Sequence, residues 1–464
     1  MNAGEIHLQF DAGTLVIDGI ARDELPDSMD SLATWDPRIL RYRAEAYRYR
    51  DVFGALTRLA RAGGHVVHDA ARTYQTLALN HRVVREPFEH ERDALAQWRD
   101  AGQRGIAVLP TGAGKTFVAE MAIALTRRST LVVVPTIDLM QQWYDVLTTA
   151  FGQTVGLMGG GEHDLRDVTV ATYDSAAIHV DRHGGRFGLI IFDECHHLPS
   201  PGYLVIAEHS IAPFRLGLTA TLARSDGRES LLDDRVGPVV CERGIRELAG
   251  EHLAEYDTVR LRVRLATDEA ERYRTQRETY RAFVVSQGIR MTAPDGWQQF
   301  IQRSSRSPEG RRAFLAYREQ RQIAVASSAK LAVLEGLLRQ HARDRAIVFT
   351  NDNDTVYLVS RMFLLPALTH QTEPKERREI LGKFSRGEYP TIVTSRVLNE
   401  GVDVPEANVA IVLSGTGSVR EHVQRLGRIL RRREGKRATL YEVITEGTIE
   451  EQISDRRRDH DAYM

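Results

Sequence analysis

From about residue 85 onward, short continuous apolar runs alternate with segments whose apolar positions step by three and four. The runs at 106–109, 130–134, 168–172, 189–192 and 216–219 are strand-length and rich in Val, Ile and Leu. That is the pattern of parallel strands covered on both faces, with crossover helices between them. The rhythm returns at 346–350, 391–394 and 409–413. Between these stretches, 267–326 carries Tyr273, Tyr280 and Phe283 at helical spacing and a second helical arm at 314–323. The basic stretch from Arg303 through Arg306 to Arg312 separates the two arms and reads as a loop. The first 84 residues differ again: strands at 5–10 and 14–20 flank a hairpin at Asp11-Ala12-Gly13. Asp36-Pro37 then opens a helix whose Ile39, Tyr42, Ala46, Tyr49 and Phe53 form one stripe, so these aromatics read as core and the arginines as its solvated face. The tail after Glu450 is a charged, frayed helix. These patterns predict an α/β chain: a small α+β domain at 1–84, parallel-sheet units at 85–266 and 327–464, and a helical insertion at 267–326.

Composition changes this picture little. Length gives a prior of about three domains. With 42% hydrophobic and 27% charged residues the chain is ordinary for a globular protein, and at net charge −1 any nucleic-acid footprint must be local. Two cysteines exclude a disulfide scaffold and a four-cysteine metal site. No apolar run is long enough to span a membrane and no basic-then-apolar leader opens the chain, which predicts a cytoplasmic location.

The chemistry starts at Leu109-Pro110-Thr111-Gly112-Ala113-Gly114-Lys115-Thr116, a glycine-broken loop between a strand and a helix. Backbone N–H groups of such a loop and of the helix N-terminus cradle phosphate. Lys115 would reach the terminal phosphates and Thr116 would hold Mg²⁺. Lysine is scarce here, at five of 62 basic residues, and a slim point charge suits this pocket where a planar guanidinium does not. After the strand at 189–192 comes Asp193-Glu194-Cys195-His196-His197. Carboxylates at a parallel strand's carboxyl end face the same crevice as the loop. Asp193 can hold the metal and Glu194 can activate the attacking water. A zinc site from Cys195, His196 and His197 lacks ligand spacing. In the second unit Gln424 and Arg428 lie one helical turn apart, with Arg425 one step round. They read either as a basic surface helix or as arginine supplied in trans to the phosphate loop.

This set resembles the superfamily-two helicases, and most closely the XPB family in its compact prokaryotic form. The motifs carrying the resemblance are 109–116; Val132 to Thr136 with Leu139 and Trp143; Val170 to Ser175; Phe192-Asp-Glu-Cys-His-His-Leu-Pro199; Arg215-Leu-Gly-Leu-Thr-Ala-Thr221; Ile347-Val-Phe-Thr350; Val397 to Pro405; and 424–431. The resemblance implies two RecA-like domains flanking a nucleotide cleft, a damage-recognition domain at 1–84 and a thumb at 267–326. It implies ATP and Mg²⁺ as cofactors, 3′–5′ movement on DNA, a nucleoid-associated location and a nuclease partner encoded nearby. Catalysis would fall to Lys115, Glu194, Gln424, Arg425 and Arg428. Nucleotide contacts would include residues 110–116, Glu91, Gly401 and Asp403, with Thr116 and Asp193 on the metal. DNA would meet Thr136, Gly160, Thr172, Arg224, Asp226, Thr350 and Ser395. Arg303 and Arg306 would act either as a solvated loop or as a DNA clamp.

The chain departs from the family at three positions. Glu91 stands where the family reads adenine with Gln, and a carboxylate has no proton to donate to N7. Ser225 replaces the carboxylate of an Arg-Glu-Asp motif linked to strand separation, and Asn399 replaces an Asp. Translocation on duplex DNA without strand separation is therefore one alternative. A non-catalytic damage-binding scaffold with an ATP-gated clamp is another, and RNA as the substrate is a third.

Overall fold

The computed structural model describes residues 5–458 except 23–24, 26–28, 84, 223–225, 250–253, 294, 396–406 and 416–436. The chain divides into two compact units, meeting in sequence near Leu248.

In the first unit, a five-stranded sheet is ordered Ala33–Asp36, Arg41–Glu45, Thr14–Asp18, Glu5–Asp11, Val66–Asp69 among the described residues. The predicted hairpin is present, with Ala12 at φ 44 and Gly13 at φ 80, as a tight right-twisted connection requires. The helix predicted from Pro37 is not there. Arg41–Glu45 is a strand that buries Tyr42 and Ala44 on one face, and the helix begins only at Tyr49. Tyr42 faces the core from the strand while Ala46 and Tyr49 do so from the 3-10 turn and helix after it, so two elements together mimic one helical stripe. The stripe is core nonetheless: Tyr42, Ala46 and Tyr49 are buried and Phe53 packs against them, while Ile39 is exposed. That core also takes in Ile211 from the following domain. The linker 71–80 is stitched down as well, Thr73 N–H donating to Gly185 O and Leu77 N–H to Arg127 O, both at 2.9 Å.

The larger sheet of this unit runs Val239–Glu242, Arg104–Val108, Phe214–Thr219, Leu189–Asp193, Thr130–Val134, Val168–Thr172, Gly156–Gly159, Glu162–Asp164. All its pairings are parallel except the last, an edge hairpin. The five predicted strands are its central five, three of them buried at every position. That burial is why their sequences show no alternation.

In the second unit six parallel strands are ordered Glu255–Val263, Arg437–Thr445, Val409–Val412, Ala346–Phe349, Thr391–Thr394, Ala367–Leu368. The boundary predicted at 266 is therefore corrected: strand Glu255–Val263 pairs along its whole length with Arg437–Thr445 and belongs to the second sheet. The insertion is three helices, Thr267–Ser286, Gly296–Ser304 and Pro308–Val325, around Phe283, Phe300 and Ala313. The basic stretch is not a loop. Arg303 lies in the middle helix, where it donates to Gln287 O, and Pro308 opens the third helix after Ser307, whose hydroxyl caps Gly310 N–H at 2.9 Å. Only 305–307 joins the two, with Arg306 in it.

Candidate active site

Strand Arg104–Val108 ends at Leu109, whose N–H bonds Thr219 O at 2.9 Å, and the chain then turns back on itself before helix Lys115–Thr126. Gly112 at φ 87 and Gly114 at φ 82 occupy the left-handed region that side chains avoid. Gly114 has a second reason to be glycine, since a Cβ there would sit 1.8 Å from Glu91 Oε1. His90 Nε2 meets Ala113 O at 2.9 Å, so helix Glu89–Asp100 braces the loop from one flank.

Lys115 Nζ donates to Leu109 O at 3.2 Å and lies 3.9 Å from Glu194 Oε1, the two carried by strands separated by Phe214–Thr219. Glu194 sits at φ 47, a conformation that costs a non-glycine residue about 1–3 kcal/mol. Asp193 is fixed from three sides. Trp143 Nε1 donates to Oδ2 at 2.8 Å, Glu194 N–H to Oδ1 at 3.0 Å, and Tyr173 O–H to the backbone carbonyl at 3.1 Å. Trp143 and Tyr173 belong to matched motifs, but their roles here were not predicted; nothing in a sequence aims an indole at a carboxylate fifty residues away.

Burial, then the neighbouring Glu194 charge, push the Asp193 carboxyl up to about 6, against the pull of Lys115 and the N–H donors. A divalent cation is the group that would hold this carboxylate ionised, so the donor set fits Mg²⁺. Without a cation the raised carboxyl costs stability. That cost begins above the ordinary value of 3.8 and is complete above about 6. Asp193→Asn loses one of the two acceptors but also the pH-dependent cost, so its stability relative to wild type in the nucleotide-free protein is expected to rise by on the order of 2 kcal/mol between about pH 4 and pH 8. Thermal melts across that range check it, and a gain independent of pH would refute the assignment.

The strand end at Thr219 is wired to this pair. Thr219 Oγ1 donates to Thr221 O at 2.8 Å and accepts Thr221 N–H at 3.2 Å. His196 Nδ1 lies 3.0 Å from the same oxygen, whose one proton is spent, so His196 carries its proton on Nδ1. The same nitrogen is 3.4 Å from Glu194 Oε2. His196 thus lies between Glu194 and the Thr-Ala-Thr turn, hydrogen-bonded to the turn. Among the described residues no group of three His, Cys, Asp or Glu side chains is set to hold a metal ion.

Glu91 is buried, and both its oxygens are taken: Arg85 Nη2 donates to Oε1 at 2.6 Å, and Arg85 Nη1 and Phe88 N–H donate to Oε2 at 2.9 and 2.8 Å. Of the predicted DNA contacts, Thr136 and Thr172 cap helices, accepting from Leu139 N–H at 3.2 Å and Ser175 N–H at 3.3 Å. Their hydroxyl protons are not used in these caps. Gly160 sits at φ 61 in the turn of the edge hairpin. Asp226 accepts Arg228 N–H at 3.4 Å. In the second unit Thr350 O–H donates to Asp352 O at 3.0 Å and Ser395 O–H to Asn353 Oδ1 at 2.9 Å. Arg224, Ser225, Asn399, Gly401, Asp403, Gln424, Arg425 and Arg428 lie outside the described residues.

A phosphate loop, an Asp-Glu pair two strands away and a hydroxyl-bearing strand end tied to that pair define the nucleotide-hydrolysing motor domain of a helicase-class protein. Family models match in the same sense: "Type III restriction enzyme, res subunit" over 71–224, "Helicase conserved C-terminal domain" over 329–433, and "Xeroderma pigmentosum group B helicase damage recognition domain" over 8–62. The chain is 40% identical over 428 residues to the DNA 3′-5′ translocase XPB2 of Sulfurisphaera tokodaii, covering 92% of this chain and 95% of that protein. It is 31% identical to the DNA 3′-5′ helicase XPB of Kineococcus radiotolerans, with 77% of this chain spanning 59% of the relative. The Pyrococcus furiosus Hef helicase domain shares the fold, with a TM-score of 0.52 at 18% identity over 79% of this chain and 98% of that one. The chain belongs to the XPB family of helicases and translocases.

Proposed function

We propose that this protein is an ATP-driven DNA motor of the XPB type, moving 3′–5′ in DNA repair or duplex opening. The observation that carries the reading is the approach of Lys115 to Glu194 at 3.9 Å across two strands of one sheet, beside a metal-ready Asp193. Residues 110–116 hold the phosphates of ATP, and Thr116 and Asp193 hold Mg²⁺, which supplies charge neutralisation at the terminal phosphate. Glu194 orients and deprotonates the attacking water. By the family resemblance, Gly401, Asp403, Gln424, Arg425 and Arg428 supply the remaining nucleotide contacts, and turnover drives movement on DNA. DNA is gripped through its phosphates at Thr136, Gly160, Thr172, Arg224, Asp226, Thr350 and Ser395, contacts that carry no base sequence and weaken steeply with salt. Arg303 and Arg306 of the helical insertion add to this grip, and a nuclease is the partner expected to act on the opened strand. Among the described residues no helix is long and apolar enough to cross a membrane.

Ser225 favours a second reading, a translocase on duplex DNA without efficient strand separation. The two are separated by measuring ATP hydrolysis and unwinding on single-stranded, duplex, forked and bubble DNA, with Lys115→Ala setting the background. A motor requires DNA-stimulated hydrolysis above that background, and its absence would leave only a clamp or scaffold. Unwinding of forks by the natural chain supports a helicase. Unwinding gained only in Ser225→Glu supports the translocase.

A further inference from the structure

The sheet order gives the nucleotide a direction. Glu194 follows strand Leu189–Asp193, two places from the phosphate-loop strand Arg104–Val108, and on the loop strand's other side lies Val239–Glu242. Helix Glu89–Asp100 packs on that side, against Val239–Glu242, Arg104–Val108 and the helix that follows the loop. A triphosphate whose terminal phosphate faces Glu194 must therefore extend its sugar and base toward the first turn of Glu89–Asp100. What waits there is Glu91, buried and touching Gly114, with both oxygens committed to Arg85 and Phe88 N–H. A carboxylate so occupied reads no base.

Arg85 is the group left to do so. Its guanidinium lies 3.6 Å from the Phe117 ring centroid and 5.3 Å from that of Phe88, which is 42% exposed, and its own side chain is 36% exposed. Glu91 holds it in plane, while its Nε–H and second Nη2–H have no protein acceptor among the described residues. These are donors only. They match N7 and O6 of guanine, both acceptors, better than adenine, which presents a donor at C6. Ring faces and a guanidinium plane otherwise stack on any base.

We propose that Arg85, clamped by Glu91, is the base-contacting group of this site, so that guanosine and inosine triphosphates are hydrolysed with kcat/KM within about tenfold of ATP or better. This rests on the nucleotide site set out under the proposed function. The test is DNA-stimulated hydrolysis of ATP, GTP and ITP by the full chain and by Glu91→Gln and Arg85→Lys. Glu91→Gln supplies an amide that both donates and accepts, and is expected to shift the GTP-to-ATP ratio toward ATP by about tenfold, chiefly through KM. Arg85→Lys keeps the charge and loses the fork, and is expected to lower GTP and ITP efficiency more than that of ATP. An ATP preference above about tenfold over both other purines, or an equal loss of all three in Arg85→Lys, would overturn the proposal. If the chain hydrolyses no triphosphate, the motor reading itself fails. Displacement of a fluorescent nucleotide by ATP, GTP and ITP then reads base preference by binding, against the same limit.

Discussion

Arg428→Ala is expected to lower kcat for DNA-stimulated ATP hydrolysis by about 10³–10⁵ while the Kd for ATP stays within a few-fold. The reason is a charge deficit in the first unit. Around the phosphate loop Lys115 faces both Asp193 and Glu194, and Arg85 is paired with Glu91. Among the described residues around the loop, one ammonium faces two carboxylates, a poor match for the charge that develops on a transferring phosphoryl group. We propose that the remaining positive charge comes from the second helicase motif region of the sequence, residues 424–431. Arg425 and Arg428 are the candidates, being the arginines of the family motif that also holds Gln424. Single-turnover hydrolysis and nucleotide binding, measured for Arg425→Ala and Arg428→Ala side by side, separate transition-state stabilisation from ground-state contact. Turnover within tenfold of wild type in both variants would remove Arg425 and Arg428 from the catalytic set.

What could be read in the sequence was what one stretch of chain settles for itself. The phosphate loop needs its glycines, lysine and hydroxyl within a few residues, and the buried parallel strands announce themselves by continuous apolar runs. What could not be read depends on distant pairing. Strand Glu255–Val263 has an unremarked sequence until its partner Arg437–Thr445 is known, so the domain boundary was placed beyond it. The run from Arg303 to Arg312 is polar enough to pass for a loop. It is helical on either side of the joint at 305–307 because Phe300 and Ala313 anchor the two helices in one core. At the site itself the identities of Asp193, Glu194 and Lys115 were legible. Trp143 on Asp193, His196 on Thr219 and Arg85 on Glu91 were not, since each depends on how side chains from separate elements are aimed.

Glu194→Gln is expected to reduce kcat by about 10²–10⁴ with ATP and DNA binding retained, as the loss of a positioned general base does. The amide keeps the shape of the side chain, and the backbone at φ 47 tolerates it no worse than the acid. What disappears is the proton acceptor and one negative charge. That charge is the second largest cause of the raised Asp193 carboxyl, after burial. Its removal has an opposite consequence at the neighbouring residue: the Asp193 carboxyl moves down toward its ordinary value, and the acid limb of Mg²⁺-dependent ATP binding moves to lower pH with it. A variant that turns over slowly yet binds Mg²⁺–ATP at a pH where wild type has let go separates the two carboxylates into a base and a metal ligand. Full turnover, or an acid limb shifted upward, would mean that the roles of Asp193 and Glu194 are not divided this way.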